Sequence, residues 1–217
     1  MTRGLFITLE GIEGAGKSTV ARSVQAWLGQ HGRGAILTRE PGGTPLAERV
    51  RQIVLERGAE RLSAATETLL MFAARGIHLE NLIRPALERG DCVVCDRFTD
   101  ATRAYQGAAR GVDPAWIESL VRQVQGGLQP DCTLLLDLPV PIGLERARSR
   151  HAGASDRFEA EAQAFFERVR AGYLELAQRE PTRIHVIDAS VPLAAVERQV
   201  TAVLERLVVP LRPGGAP

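Results

Sequence analysis

The chain has 217 residues, 45% of them hydrophobic and 24% charged, which is enough to bury one good core and fits a single domain. Its 27 Lys and Arg residues nearly balance 26 Asp and Glu, a formal charge of +1, so no overall field gathers nucleic acid or an anionic membrane and any anion site has to be built locally. The opening "MTRGLFITLEG" carries an apolar run too short for a signal peptide or a bilayer span, so the expectation is a cytoplasmic protein whose partners are neither nucleic acid nor membrane.

In chain order, a first strand is expected at 4–9 ("GLFITL"), followed directly by the glycine-rich stretch "EGIEGAGKST" at 10–19. A helix at 17–31 and a second strand at 34–38 follow, then helices at 45–58 and 63–89, the first of these opened by Thr44 before Pro45. The third strand is expected at 92–96 ("CVVCD"), and "DRFTDATRAYQG" beyond it reads as a loop at the carboxyl edge of the sheet, where open α/β sheets bind ligands. Next come helix 114–125, opened by Asp113 before Pro114, strand 132–138, helices 139–149 and 158–180 on either side of "HAGAS", strand 183–188, and helix 192–207, with Val191 before Pro192. This alternation predicts an α/β fold of three layers, a five-stranded parallel sheet with helices on both faces, in one domain over 1–209. Residues 210–217, rich in proline and glycine, are expected to form a flexible tail.

Cys92, Cys95 and Cys132 give an odd count that argues for reduced thiols. "CVVC" has the spacing of a metal or redox pair, yet in a strand two residues three apart point to opposite faces. His31, His78, His151 and His185 are scattered without ligand spacing, so these residues are expected to be structural.

Gly11, Gly16, Lys17 and Ser18 match G-x-x-x-x-G-K-[ST], with a strand before and a helix pattern after, the context the motif needs. Such a loop turns successive backbone N–H groups toward phosphate oxygens at a helix N-terminus, with Lys17 reaching the outer phosphates and Ser18 able to ligate magnesium. The expected ligand is a nucleoside triphosphate, and the fold a P-loop NTPase fold. A guanine-reading N-K-x-D is missing, because Asn81 is the only asparagine and "LIRP" follows it. Arginines cluster instead: Arg97 after the third strand, and Arg146, Arg148, Arg150 and Arg157 around "HAGAS". Phosphoryl transfer to another phosphate needs no strong base but several cations, and arginines on a lid that excludes water meet that need.

Together these stretches, with "TREPGGTPLAE" at 38–48 and "LLMFAARGIHLENLIRPAL" at 69–87, resemble bacterial thymidylate kinases (dTMP kinases) of the nucleoside monophosphate kinase group. The resemblance implies ATP-dependent phosphorylation of dTMP to dTDP in dTTP biosynthesis, with Mg2+, by a homodimer. It implies ATP on Gly11, Ile12, Glu13, Gly14, Ala15, Gly16, Lys17, Ser18 and Thr19, and magnesium near Ser18 and Asp96, partly through water. For dTMP it implies Glu13 at the sugar 3′-hydroxyl, Arg97 on the phosphate, Arg75 on the thymine with Phe72 stacked on it, Tyr105 beside the deoxyribose and Gln106 next to it, and contacts from Arg39, Pro41, Ala101 and Thr102. Met71, one position earlier on the same helical face, is the alternative cover for the base. The lid is implied at about 147–158, with Arg150 as the catalytic arginine and Arg157 as the alternative. Two other classes stay open: a kinase acting on a different pyrimidine nucleotide, and a regulator that binds ATP without transferring its phosphate.

Overall fold

A computed structural model describes residues 3–55, 62–149 and 156–208, with only the backbone course given for 156–162. Five strands, β1 (Phe6–Glu10), β2 (Ala35–Arg39), β3 (Cys92–Asp96), β4 (Cys132–Asp137) and β5 (Ile184–Asp188), form one parallel sheet in the order β2-β3-β1-β4-β5. A parallel sheet is covered on both faces, which is why its strands read as nearly unbroken apolar runs. Leu5, Ile7, Leu9, Cys92, Val94, Leu134 and Leu136 face one way, onto Val20, Val24 and Leu28 of α1 (Lys17–Gln30) and Val196, Val200 and Leu204 of the last helix. Phe6, Val93 and Cys95 face the other way, onto Leu79, Ile83, Leu87 and Phe98. Cys92 and Cys95 thus lie on opposite faces of the sheet, both buried and neither in a disulfide.

The remaining helices are α2 (Pro45–Leu55), α3 (Ala64–His78), α4 (Arg84–Glu88), α5 (Thr99–Thr102), α6 (Pro114–Gln125), α7 (Val140–Arg148), α8 (Asp156–Arg179) and α9 (Leu193–Val208). The stretch expected as one helix over 63–89 is instead α3 and α4 joined by a π-helical turn, Leu79–Ile83. Pro85, with no N–H and a ring that crowds the preceding turn, accounts for the widening. Ser63 caps α3 by accepting from Thr66 N–H at 3.0 Å, and Asp113 caps α6 by accepting from Ala115 N–H at 3.0 Å.

"DRFTDATRAYQG" is the larger correction. The expected loop is helical: α5 runs on into a π-helical segment, Arg103–Ala109, packed along α8. Packing makes this helix, for Ala104 shares a cluster with Val169 and Tyr173, and Tyr105 meets Phe165, Phe166 and Tyr173 edge-on. Below it lies a polar network. Asp100, 2% exposed, accepts from Arg103 at 2.9 Å and from Arg183 at 2.7 and 3.0 Å, and Thr133 bonds both Asp100 and Thr8 across the strands. A buried carboxylate requires such partners, and here they tie α5 to β4, through it to β1, and to the turn before β5.

Because β1 lies between β3 and β4, the chain leaves it in one direction and later crosses to the other side. The carboxyl ends of β1 and β3 therefore border a crevice at the point where the strand order reverses. Among the described residues no helix is long and apolar enough to cross a membrane.

Candidate active site

The loop between β1 and α1 opens into that crevice. Gly14 stands at φ 79°, and a Cβ there would collide with the backbone carbonyl of Gly143, so only glycine lets the loop pass so close to α7. The helix that follows begins at Lys17 with no side-chain cap and no acidic residue in its first turn, which leaves its N–H groups and positive end open to an anion. Lys17 itself is buried, its Nζ donating to the carbonyls of Gly11 and Ile12 at 3.1 and 2.9 Å. Burial, reinforced by the Arg97 charge, lowers its pKa to about 8.

At the end of β3, the Ser18 hydroxyl donates to Asp96 Oδ2 at 3.3 Å, while Asp96 Oδ1 is buried without a hydrogen-bond partner. A hydroxyl beside an oxygen anion with a spare acceptor is a donor set suited to a hard divalent cation such as magnesium. Among the described residues there is no cluster of three or more His, Cys, Asp or Glu able to hold a metal.

Arg97 comes next, held at φ 71° in the left-handed region that non-glycine residues avoid. Its neighbours impose that conformation: Arg97 N–H donates to Leu9 O at 2.9 Å, and Phe98 N–H to Glu10 Oε1 at 2.7 Å. The guanidinium then reaches Glu13 Oε1 at 3.0 Å and the Tyr173 hydroxyl at 3.3 Å, and lies 4.7 Å over the Tyr105 ring. Tyr105, its own pKa raised by burial, donates its hydroxyl to Glu13 Oε2 at 2.9 Å. Tyr173 in turn donates to Glu10 Oε2 at 2.7 Å, and burial pushes Glu10 well above the usual carboxylate range, with Asp100 adding to the effect. Strain of about 1–3 kcal/mol kept at one residue by so many contacts is of the kind that clusters at active sites and ligand clamps.

Two cavities meet here. One, of about 420 Å3, is lined by Glu13, Gly14, Lys17, Ser18, Asp96 and Arg97 among others. The second, of about 270 Å3, is lined by Pro41, Met71, Arg75, Ala101, Thr102, Tyr105 and Gln106. Glu13, Glu40, Arg51 and Arg97 line both. Such a pair of connected chambers, one with a phosphate loop and one with an arginine set against aromatic rings, suits a phosphoryl donor and a nucleotide acceptor.

A sequence model described as thymidylate kinase matches residues 9–200. The chain belongs to the thymidylate kinase family. It is 58% identical over 205 residues to a thymidylate kinase of Pseudomonas putida (strain GB-1), covering 94% of this chain and 97% of that one. It is 56% identical over 207 residues to one of Alkalilimnicola ehrlichii, covering 95% and 94%. A crystal structure of thymidylate kinase from Ehrlichia chaffeensis superposes with a TM-score of 0.76 at 33% identity, covering 94% of this chain and 99% of that one.

Within this thymidylate kinase fold the residues singled out in the sequence separate. Gly11, Ile12 and Ala15 form the buried back of the phosphate loop, and Gly16 and Thr19 its outer side. Arg39 lines the larger cavity only, paired with Glu48 at 3.1 Å, and Pro41 lines the smaller. Phe72, expected over the base, is instead 2% exposed in a core with Val112, Ile117 and Val121, and Met71 takes the place on the cavity wall. One step along a helix turns a side chain by about 100°, enough to move it from cavity to core. Arg150 lies outside the described residues, as do the side chain of Arg157 and residues 151–155 of the expected lid.

Four charged lining residues escaped the sequence reading: Glu40, Arg51, Glu67 and Arg110. Arg51 donates to Pro41 O at 2.9 Å, and burial, with Arg39 nearby, lowers its pKa. Glu67 accepts from Gln106 at 2.7 Å and Arg110 at 2.8 Å. Only Glu40 lay inside a motif already singled out, "TREPGGT".

Proposed function

We propose that the chain transfers the γ-phosphoryl group of ATP to the 5′-phosphate of dTMP, giving dTDP for dTTP biosynthesis, in the cytoplasm. The observation that carries this reading is the meeting of a phosphate-loop cavity and an acceptor cavity at Glu13, Glu40, Arg51 and Arg97. ATP would lie on residues 11–19, its outer phosphates drawing Lys17 from the Gly11 and Ile12 carbonyls. Mg2+ held by Ser18 and, partly through water, by Asp96 would offset charge on the donor phosphates.

The acceptor oxygen is already anionic and needs no base. As it bonds to the γ-phosphorus in line, the bond to the bridging oxygen breaks and ADP leaves with the electron pair. Arg97, fixed by Glu13 and Tyr173, holds the acceptor phosphate with its planar fork. Glu13 and Tyr105 face the sugar, and Arg75, Met71, Ala101, Thr102 and Gln106 surround the base, with Phe72 supporting Arg75 from the core. Arg39 and Pro41 border the two substrates, and the lid arginine, Arg150 or else Arg157, completes the cations around the transferring group. Incubation with γ-labelled ATP and dTMP should put the label in dTDP; label released as phosphate at the same rate without dTMP would contradict the reading.

The working unit in this reading is a homodimer joined through α2 and α3. Leu46 and Ile53, seven apart on one face of α2, are 51% and 54% exposed, and Leu69 on the adjoining α3 is 50% exposed. A second copy related by twofold symmetry would cover this apolar surface. Light scattering should give twice the chain mass, and a monomer at working concentration would refute the dimer.

A further inference from the structure

Arg75 is held by more than its own helix. Its Nε donates to Glu40 Oε2 at 2.7 Å and its Nη2 to Thr102 Oγ1 at 3.0 Å, while Nη1 is buried with no partner. The guanidinium also lies 4.8 Å over the Phe72 ring and 5.0 Å over that of Phe98. Glu40 in turn has a second partner, His78 Nδ1 at 3.2 Å from Oε1, and His78 Nε2 is 2.7 Å from Thr38 Oγ1. A carboxylate acceptor requires the proton on Nδ1, so Nε2 accepts a hydrogen bond from the Thr38 hydroxyl. Gly43, at φ 87°, seals this chain from behind, since a Cβ there would strike both His78 Nε2 and Thr38 Oγ1.

We propose that Glu40, backed by His78 and Thr38, is a positioning residue that sets selectivity for the acceptor base by fixing Arg75. This rests on the reading that the 270 Å3 cavity takes the acceptor nucleotide. The carboxylate and Thr102 occupy two corners of the fork and leave Nη1 as a buried, unsatisfied donor on a side chain that lines the cavity. A buried donor without a partner carries a desolvation penalty that a ligand carbonyl removes and a ligand amino group does not. The arrangement therefore favours a pyrimidine with a carbonyl, as in thymine or uracil, over cytosine, which presents an amino group. It does so only while Glu40 prevents the fork from turning. Neither His78 nor Thr38 lines the cavity, so both act through Glu40.

The test is steady-state kinetics of the full chain with dTMP and dCMP, for wild type, Glu40→Gln and Thr38→Val. Glutamine keeps the shape, but it removes the charge on the Arg75 bond and turns an amide donor on His78 or Arg75. For Glu40→Gln the KM for dTMP should rise about 10- to 100-fold, the loss of one charge-assisted hydrogen bond. Its preference for dTMP over dCMP should shrink. Thr38→Val should move the same two quantities in the same direction by a few-fold, and it decides the matter if the Gln variant does not fold. Unchanged dTMP KM and selectivity in a folded variant, or a fall in kcat with both KM values unaltered, would overturn the proposal. A wild type that uses no dTMP would instead refute the function on which it rests.

Discussion

Lys17 is a buried cation whose charge depends on its surroundings. With burial lowering its pKa from 10.5 to about 8, the charged lysine costs stability below pH 8, and the cost disappears as pH rises toward 10.5. A triphosphate reverses this by supplying the missing anion. In the free enzyme, kcat/KM for ATP should therefore fall as pH rises through about 8, whereas kcat at saturating ATP persists to higher pH. A kcat/KM profile flat from pH 7 to about 10 would show that Lys17 does not carry the donor phosphates. At this scale the sequence was informative where chemistry depends on spacing, as for Lys17 and Ser18. It was silent on Glu40, because the carboxylate is buried only where the end of β2 meets Arg75 and His78 on α3, 35 and 38 positions away. Phe72 and Met71 show the same limit, since spacings of three and four share a helical face and only the packing of α3 on α6 decides which turns inward.

Among the elements, the phosphate loop carries its information locally and the helix after β3 does not. Substitution of Gly14 by alanine forces a left-handed alanine, at about 1–2 kcal/mol, and a collision with Gly143. Calorimetric titration of this variant should show ATP affinity at least about tenfold lower. Unchanged affinity would mean that the loop's shape is not what binds phosphate. In the sequence, "DRFTDATRAYQG" at 96–107 reads as a loop because it mixes threonine, aspartate and glycine and carries no strong apolar period, whereas residues 99–109 are helical. Their helix owes its existence to Asp100 bound by two arginines and to Tyr105 packed on α8. For the lid, Arg150→Ala should lower kcat by about 3 to 5 orders of magnitude while leaving dTMP affinity in place, as for an arginine finger. The same loss in Arg157→Ala, with Arg150→Ala active, would transfer the role.

For the molecule as a whole, the order of strands and helices was legible because a parallel sheet buried on both faces writes each strand as an apolar run. The strand order was not, because register and crossover direction depend on which face each helix covers. That order places the phosphate loop after β1 beside Asp96 and Arg97 after β3, so residues more than 70 positions apart along the chain form one site. The proposed role of this site is to move a phosphoryl group between two nucleotides. It is tested most directly by steady-state ADP production from ATP and magnesium, with dTMP, dUMP, UMP, dCMP or no acceptor in separate reactions. Turnover should depend on an acceptor and be fastest with dTMP; ADP formed at one rate whatever the acceptor would refute that role.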